Sequence, residues 1–190
     1  MKYQRHTEET RITLEFEPRG CGERRIDSGI GFLDHMLGTL AFHARFDLAL
    51  QAEADLHVDD HHAAEDCALA LGTALDQSLG DRRAITRFGS AYAPLDEALA
   101  RAVVDISGRP GACIDLGLTR EALGGLACEN IPHFFRSFAT AARLTLHVDV
   151  LRGENDHHRA EAAFKALALA LRAALAPQRD GIPSLKGTLS

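Results

Sequence analysis

The chain has 190 residues, 46% of them hydrophobic, enough to bury a real core as one compact unit. Lys and Arg number 21 against 27 Asp and Glu, a formal net charge of −6, so no general basic field exists and nucleic acid is not expected as a partner. No apolar run approaches the ~20 residues needed to span a bilayer, and the start Met1-Lys2-Tyr3-Gln4-Arg5-His6 holds no apolar signal core, so a cytoplasmic protein is expected. Cys21, Cys67, Cys113 and Cys128 fall far apart without a Cys-x-x-Cys, which points to reduced packing thiols rather than a disulfide frame or zinc knuckle.

Residues 10–17 (TRITLEFE) alternate apolar and polar as a half-buried strand does, and Pro18-Arg19-Gly20-Cys21-Gly22 turns the chain. Gly29-Ile30-Gly31 leads into a helix over about 32–43, followed by strand over 45–56. A long helix over about 61–79 is capped by Asp59 or Asp60 and closed by Gly80-Asp81. Strands are predicted at 85–93, 98–106 and 112–118, with a turn at 107–111, while the Gly-containing stretch 119–130 gives no assignment. Helix (132–142), strand (144–151) and long helix (157–175) then recur, and the tail from Pro177, with Arg179 and Lys186, is expected to stay mobile until something binds. The long helices are rich in Ala and Leu on nearly every face, which predicts packing between subunits. The fold class is α+β: an internally duplicated two-layer sandwich, each half a β-sheet packed against two helices, with repeats at about 5–92 and 93–180.

Asp60-His61-His62-Ala63-Ala64-Glu65 returns 96 positions later as Asp156-His157-His158-Arg159-Ala160-Glu161. On a helix, His(i) and Glu(i+4) share a face and can reach one ion, and imidazole with carboxylate suits Mn, Fe, Co, Ni or Zn. The adjacent His points about 100° away, so each copy should give His and Glu to one ion and its second His to another. Each copy also has an imidazole upstream, His35 before the first and His133 before the second. Six His and two Glu make two sets of three His and one Glu, which leaves positions open on a six-coordinate ion and so implies a substrate. A single-ion hydrolase fails on motif grounds, because neither His-Glu-x-x-His nor His-x-x-Glu-His occurs. A shell that merely stores metal is the rival of another class.

Gly31-Phe32-Leu33-Asp34-His35-Met36-Leu37, Asp59-Asp60-His61-His62 with Glu65-Asp66, Ala93-Pro94-Leu95-Asp96-Glu97-Ala98, Ser107-Gly108-Arg109-Pro110, Gly153-Glu154-Asn155 and Phe164-Lys165-Ala166 carry a close resemblance from about Arg5 to the last residue. The sequence resembles the imidazoleglycerol-phosphate dehydratase family of histidine biosynthesis. That resemblance implies dehydration of imidazole glycerol phosphate to imidazole acetol phosphate, two Mn2+ ions per subunit, and a 24-subunit shell built from trimers with active sites between subunits. By position it implies His35, His61, His62, Glu65, His133, His157, His158 and Glu161 as metal ligands and Glu9 as a substrate-contacting, catalytic Glu. It also implies His43 in the substrate pocket and Arg87, Arg109, Ser184 and Lys186 around the phosphate, where Arg forks and a Lys point charge both serve. The proton to be removed lies on a carbon with no adjacent carbonyl. The expected route is therefore substrate imidazolate bridging two ions, a diazafulvene-like intermediate as hydroxyl leaves, and proton transfer by Glu9.

Overall fold

The computed structural model describes residues 1–178 and 181–189, so Arg179 of the tail lies outside the described residues. In chain order the first half carries β1 (Lys2–His6), β2 (Thr10–Glu17), β3 (Arg24–Asp27), α1 (Gly31–Ala44), β4 (Asp47–Ala54) and α2 (His61–Leu79). The second carries β5 (Phe88–Leu95), β6 (Ala98–Asp105), β7 (Gly111–Asp115), a small hairpin β8 (Ala122–Leu123) and β9 (Leu126–Ala127), then α3 (Asn130–Ala141), β10 (Thr145–Arg152) and α4 (Asp156–Ala174).

The sheets run β1-β2-β4-β3 and β5-β6-β10-β7, and their pairings correspond strand by strand: antiparallel, antiparallel, then parallel. The duplication is thus one of topology as well as of motif. Period-two alternation makes each central strand two-faced: Thr10, Ile12, Leu14 and Phe16 of β2 point inward, as do Ala98, Ala100, Ala102 and Val104 of β6. Thr10 corresponds to Ala98, 88 positions on, whereas Asp47 corresponds to Thr145, 98 positions on; the β8–β9 hairpin lies in the inserted stretch. Gly124 (φ 61) turns that hairpin, so the unassigned stretch 119–130 is an ordered element of the second half. The second half opens at Phe88, a few residues before the boundary read from the sequence.

Four helices lie between the two sheets. α2 rests on β2 and α3, α4 on β5, β6 and α1, α1 on β3, and α3 on β7. Much of the extra buried face of the Ala- and Leu-rich helices α2 and α4 is covered by the other half of the same chain. Gly72 shows how close the α2–α3 seam is, since a Cβ there would stand 2.6 Å from the Phe138 carbonyl oxygen.

β1 (KYQRH) and β3 (RRID) went unpredicted because both are edge strands whose charged, exposed residues show no apolar alternation. The tail is also more ordered than expected. Gln178 N donates to Ala84 O at 3.1 Å, Ala84 N to Gly181 O at 3.0 Å, and Ile85 bridges to Pro177, which fastens the described tail to the link between the halves.

Candidate metal centre

The N-terminal turns of α2 and α4 carry the repeated motif, and each is organised by its flanking residues. Asp59 Oδ1 accepts the His61 N–H at 2.9 Å, and Asn155 Oδ1 accepts those of His157 (2.9 Å) and His158 (3.4 Å). Asp60 makes no capping bond, contrary to one of the two options read from sequence; its Oδ2 accepts from Ala127 N at 2.6 Å. Asp156, its counterpart, accepts from Thr119 N and Arg120 N at 2.7 Å each. Burial pushes the Asp156 carboxyl up, and these backbone donors outweigh it, so the group stays below the usual carboxylate range. The motif aspartates therefore strap the inserted segment onto both helix starts.

Six of the eight predicted ligands form two clusters, and each cluster draws on both halves. His35 of α1 meets His157 and Glu161 of α4, and His133 of α3 meets His61 and Glu65 of α2; in each group the three ligand atoms lie within 4.8 Å of one another. The upstream imidazole thus serves the opposite copy's helix. Helix pairing explains the exchange, because α1 packs on α4 and α3 on α2. His35 Nε2 and His157 Nε2 stand 3.0 Å and 3.3 Å from Glu161 Oε2. His61 Nε2 and His133 Nε2 each stand 3.5 Å from Glu65 oxygens, and their rings stack at 4.8 Å.

The surroundings of the two clusters have diverged. Three positions before the upstream His, Phe32 sets its ring 5.2 Å from that of His157, whereas Asn130 places Oδ1 2.9 Å from His61 Nδ1. Lys165 Nζ lies 2.8 Å from Glu161 Oε1, leaving Oε2 for the imidazoles. Burial pushes the Glu161 carboxyl up, but hydrogen bonds from Lys165 and His35 and their charges prevail and hold it low.

His62 and His158 point away from both clusters, as the 100° divergence requires. His62 Nδ1 is 3.1 Å from both Asp55 carboxylate oxygens, and His158 Nδ1 is 2.7 Å from Glu97 Oε2. These hydrogen bonds raise both imidazoles above their usual range. Glu97, which also accepts from Asn155 N and Glu154 N, is held at about 2 by those backbone donors and His158. With Nδ1 held by Asn130, Asp55 or Glu97, three imidazoles in their neutral form would offer Nε2 to a metal, as where carboxylates orient metal-binding histidines. The donor set fits a divalent transition ion. Asp55, Glu97, Asn130 and Lys165 were not given these supporting roles from sequence. Glu97 could have been found there, since the β5–β6 turn sits 88 positions after the Glu8-Glu9 turn.

Glu9, in the β1–β2 turn, places Oε1 3.6 Å from His62 Nε2. His43, in the last turn of α1, is half-buried; burial first and the Lys165 charge next depress it below the usual imidazole range. The phosphate candidates are dispersed. Arg87 (φ 76) is committed to Asp105 at 2.7 and 3.1 Å and to Pro183 O at 2.9 Å, next to Ser184. Ser184 Oγ accepts from Lys186 N at 3.2 Å, the Lys186 side chain is exposed, and Arg109 lies on the exposed turn after β6.

Fold and site together define a class: a duplicated α+β protein with two histidine–carboxylate clusters at the seams between its halves. The imidazoleglycerol-phosphate dehydratase family model matches residues 28–171. The enzyme of that name from Pyricularia oryzae is 62% identical over 168 residues, 87% of this chain and 75% of that protein, and the one from Saccharomyces cerevisiae is 58% identical over 165. A relative from Phytophthora nicotianae is 59% identical over 98% of this chain, which spans 41% of that longer protein. Imidazoleglycerol-phosphate dehydratase structures from Staphylococcus aureus subsp. aureus N315 and Pyrococcus furiosus superpose with TM-scores of 0.82 and 0.85, at 39% and 38% identity, covering 94% and 98% of this chain and 99% and 100% of theirs. The chain belongs to the imidazoleglycerol-phosphate dehydratase family, hydro-lyases of histidine biosynthesis.

Proposed function

We propose that this protein dehydrates D-erythro-imidazole glycerol phosphate to imidazole acetol phosphate, using two Mn2+ ions per subunit or another divalent transition metal in their place. The observation that carries the reading is the pair of clusters, each with two imidazoles and one carboxylate and each drawn from both halves. Two sites suit a substrate whose own imidazole has two nitrogens. His35, His157 and Glu161 would hold one ion and His61, His133 and Glu65 the other, and the ions would supply Lewis acidity toward the substrate imidazole and the leaving hydroxyl.

The chain's own residues do the rest. Glu9 moves the proton, its exposed carboxylate facing His62 Nε2. His43, kept neutral near pH 7 by burial and Lys165, offers the substrate a hydrogen bond rather than a charge. Arg109, Ser184 and Lys186 grip the phosphate; Arg87 contributes by fastening the tail that carries the last two. Each cluster gives three donors where such an ion takes up to six, and the Nε2 atoms of His62 and His158 lie off the clusters. That supports sites completed between subunits; the 24-mer built from trimers is what the family resemblance implies for the assembly. Among the described residues no helix is long and apolar enough to cross a membrane, in keeping with the proposed cytoplasmic location.

The test is turnover of imidazole glycerol phosphate by Mn-loaded and chelator-stripped protein. Keto product from the loaded form alone, restored by adding Mn2+ back, supports the reading. No product from fully loaded protein, or equal turnover after stripping, contradicts it.

A further inference from the structure

The two halves serve as each other's control. Register aligns Arg5 with Ala93, because Arg5 pairs with Ile12 as Ala93 pairs with Ala100. Thr10 opens β2 as Ala98 opens β6, and the repeated His-His pairs align Asp66 with Ala162. Three polar residues of the first half therefore correspond to three buried alanines of the second. The second half packs its sheet on α4 without any polar set, so the fold does not demand one. Burying a carboxylate is costly unless its partners satisfy it, and Asp66 is 6% exposed.

Its partners form a directed chain. Arg5 Nε donates to Asp66 Oδ1 at 2.8 Å, and Thr10 Oγ1 donates to Asp66 Oδ2. A hydroxyl has one proton. With that proton spent on Asp66, Thr10 Oγ1 accepts from Thr7 Oγ1 at 3.2 Å. Thr7 Oγ1 in turn accepts from Glu9 N at 3.2 Å and Thr10 N at 2.9 Å, while Glu9 O accepts from Asp55 N at 3.1 Å. Both main-chain groups of Glu9 are thus tied down, one through this chain to α2 and the other to Asp55. Asp66 follows His62 by four positions, so the helix that orients His62 also anchors the turn that brings Glu9 to it. Glu97, at the position matching Glu9, is fixed differently, by accepting from Glu154 N, Asn155 N and His158.

We propose that Thr10, backed by Asp66 and Arg5 and relayed by Thr7, is a positioning residue that sets Glu9 against His62 for proton transfer, a device kept only in the half whose turn does chemistry. The inference rests on the role proposed for Glu9. In Thr10→Ala, the change that copies the second half, kcat falls ~10-fold or more, the scale on which sub-ångström to ångström misplacement acts. KM and bound Mn stay at wild-type levels. Thr10→Ser keeps the hydroxyl and restores kcat. Amide exchange at Glu9 quickens in Thr10→Ala while that of α2 does not. In a Glu9→Gln background, Thr10→Ala costs nothing further. An undiminished kcat in Thr10→Ala, or the same fractional loss in both backgrounds, overturns the positioning role while leaving Glu9 in place. A wild-type kcat in Glu9→Gln itself overturns the role of Glu9 and this inference together. Thr7→Ala breaks the chain at its other end and is read in the same way if Thr10→Ala folds poorly.

Discussion

His35 and Glu161 stand 126 positions apart in the chain, in different repeats, yet His35 Nε2 lies 3.0 Å from Glu161 Oε2. The helices cross-pair, α1 with α4 and α2 with α3, so neither half holds a complete cluster. His35→Ala and Glu161→Ala are therefore expected to remove the same metal. Each should halve the bound Mn, and the double variant should lose no more than either single one. Combining His35→Ala with Glu65→Ala should strip both sites. Elemental analysis of the purified variants decides it.

Asp55 and Glu97 fix the Nδ1 protons of His62 and His158. Removing such an orienting carboxylate typically weakens metal binding ~10–100-fold, and Asp55→Ala and Glu97→Ala should each fall in that range. Because Glu97 is held at about 2, its carboxylate is present above its unfolded value and lost only as pH falls through the depressed one. Glu97 thus stays ionised wherever the imidazoles are neutral enough to bind metal, so the loss of metal binding on acidification should follow imidazole protonation, and the Glu97→Ala deficit in metal-binding isotherms should be the same at pH 7 and pH 8.

Arg109→Ala and Lys186→Ala should act mainly on KM, since a phosphate contact remote from the breaking bond is made in ground and transition states alike. Arg87→Ala should raise KM as well and also free the tail. Its guanidinium holds Pro183 O, so limited proteolysis near the C-terminus should quicken in that variant and not in Arg109→Ala.

Gly72→Ala tests the seam between the halves. The added methyl would stand 2.6 Å from the Phe138 carbonyl oxygen and 2.8 Å from Ala141 Cβ, and overpacking of this kind costs about 1–3 kcal/mol. Thermal unfolding should shift down by several degrees. Because α3 carries His133 and α2 carries His61, Mn affinity at that cluster should fall with it.

Much of this architecture is legible in the sequence. The alternation of β2 and the 96-residue return of Asp-His-His-x-x-Glu mark the sheets, the long helices and the metal-type ligands. What periodicity cannot convey is partnership. That His35 would reach Glu161 rather than Glu65 depends on how helices of different halves pack, a tertiary choice with no local trace. β1 and β3 escaped notice because edge strands with charged exposed faces have no apolar period. Asp60 was a fair cap by residue type, but a backbone N–H 67 positions away claimed its carboxylate.

The central claim is that dehydration needs both clusters filled together. Titrating Mn2+ into metal-free protein while following bound metal and turnover tests it most directly. Turnover should stay near zero until the second ion per chain binds and then rise with it. Full turnover at one bound ion per chain would contradict the account.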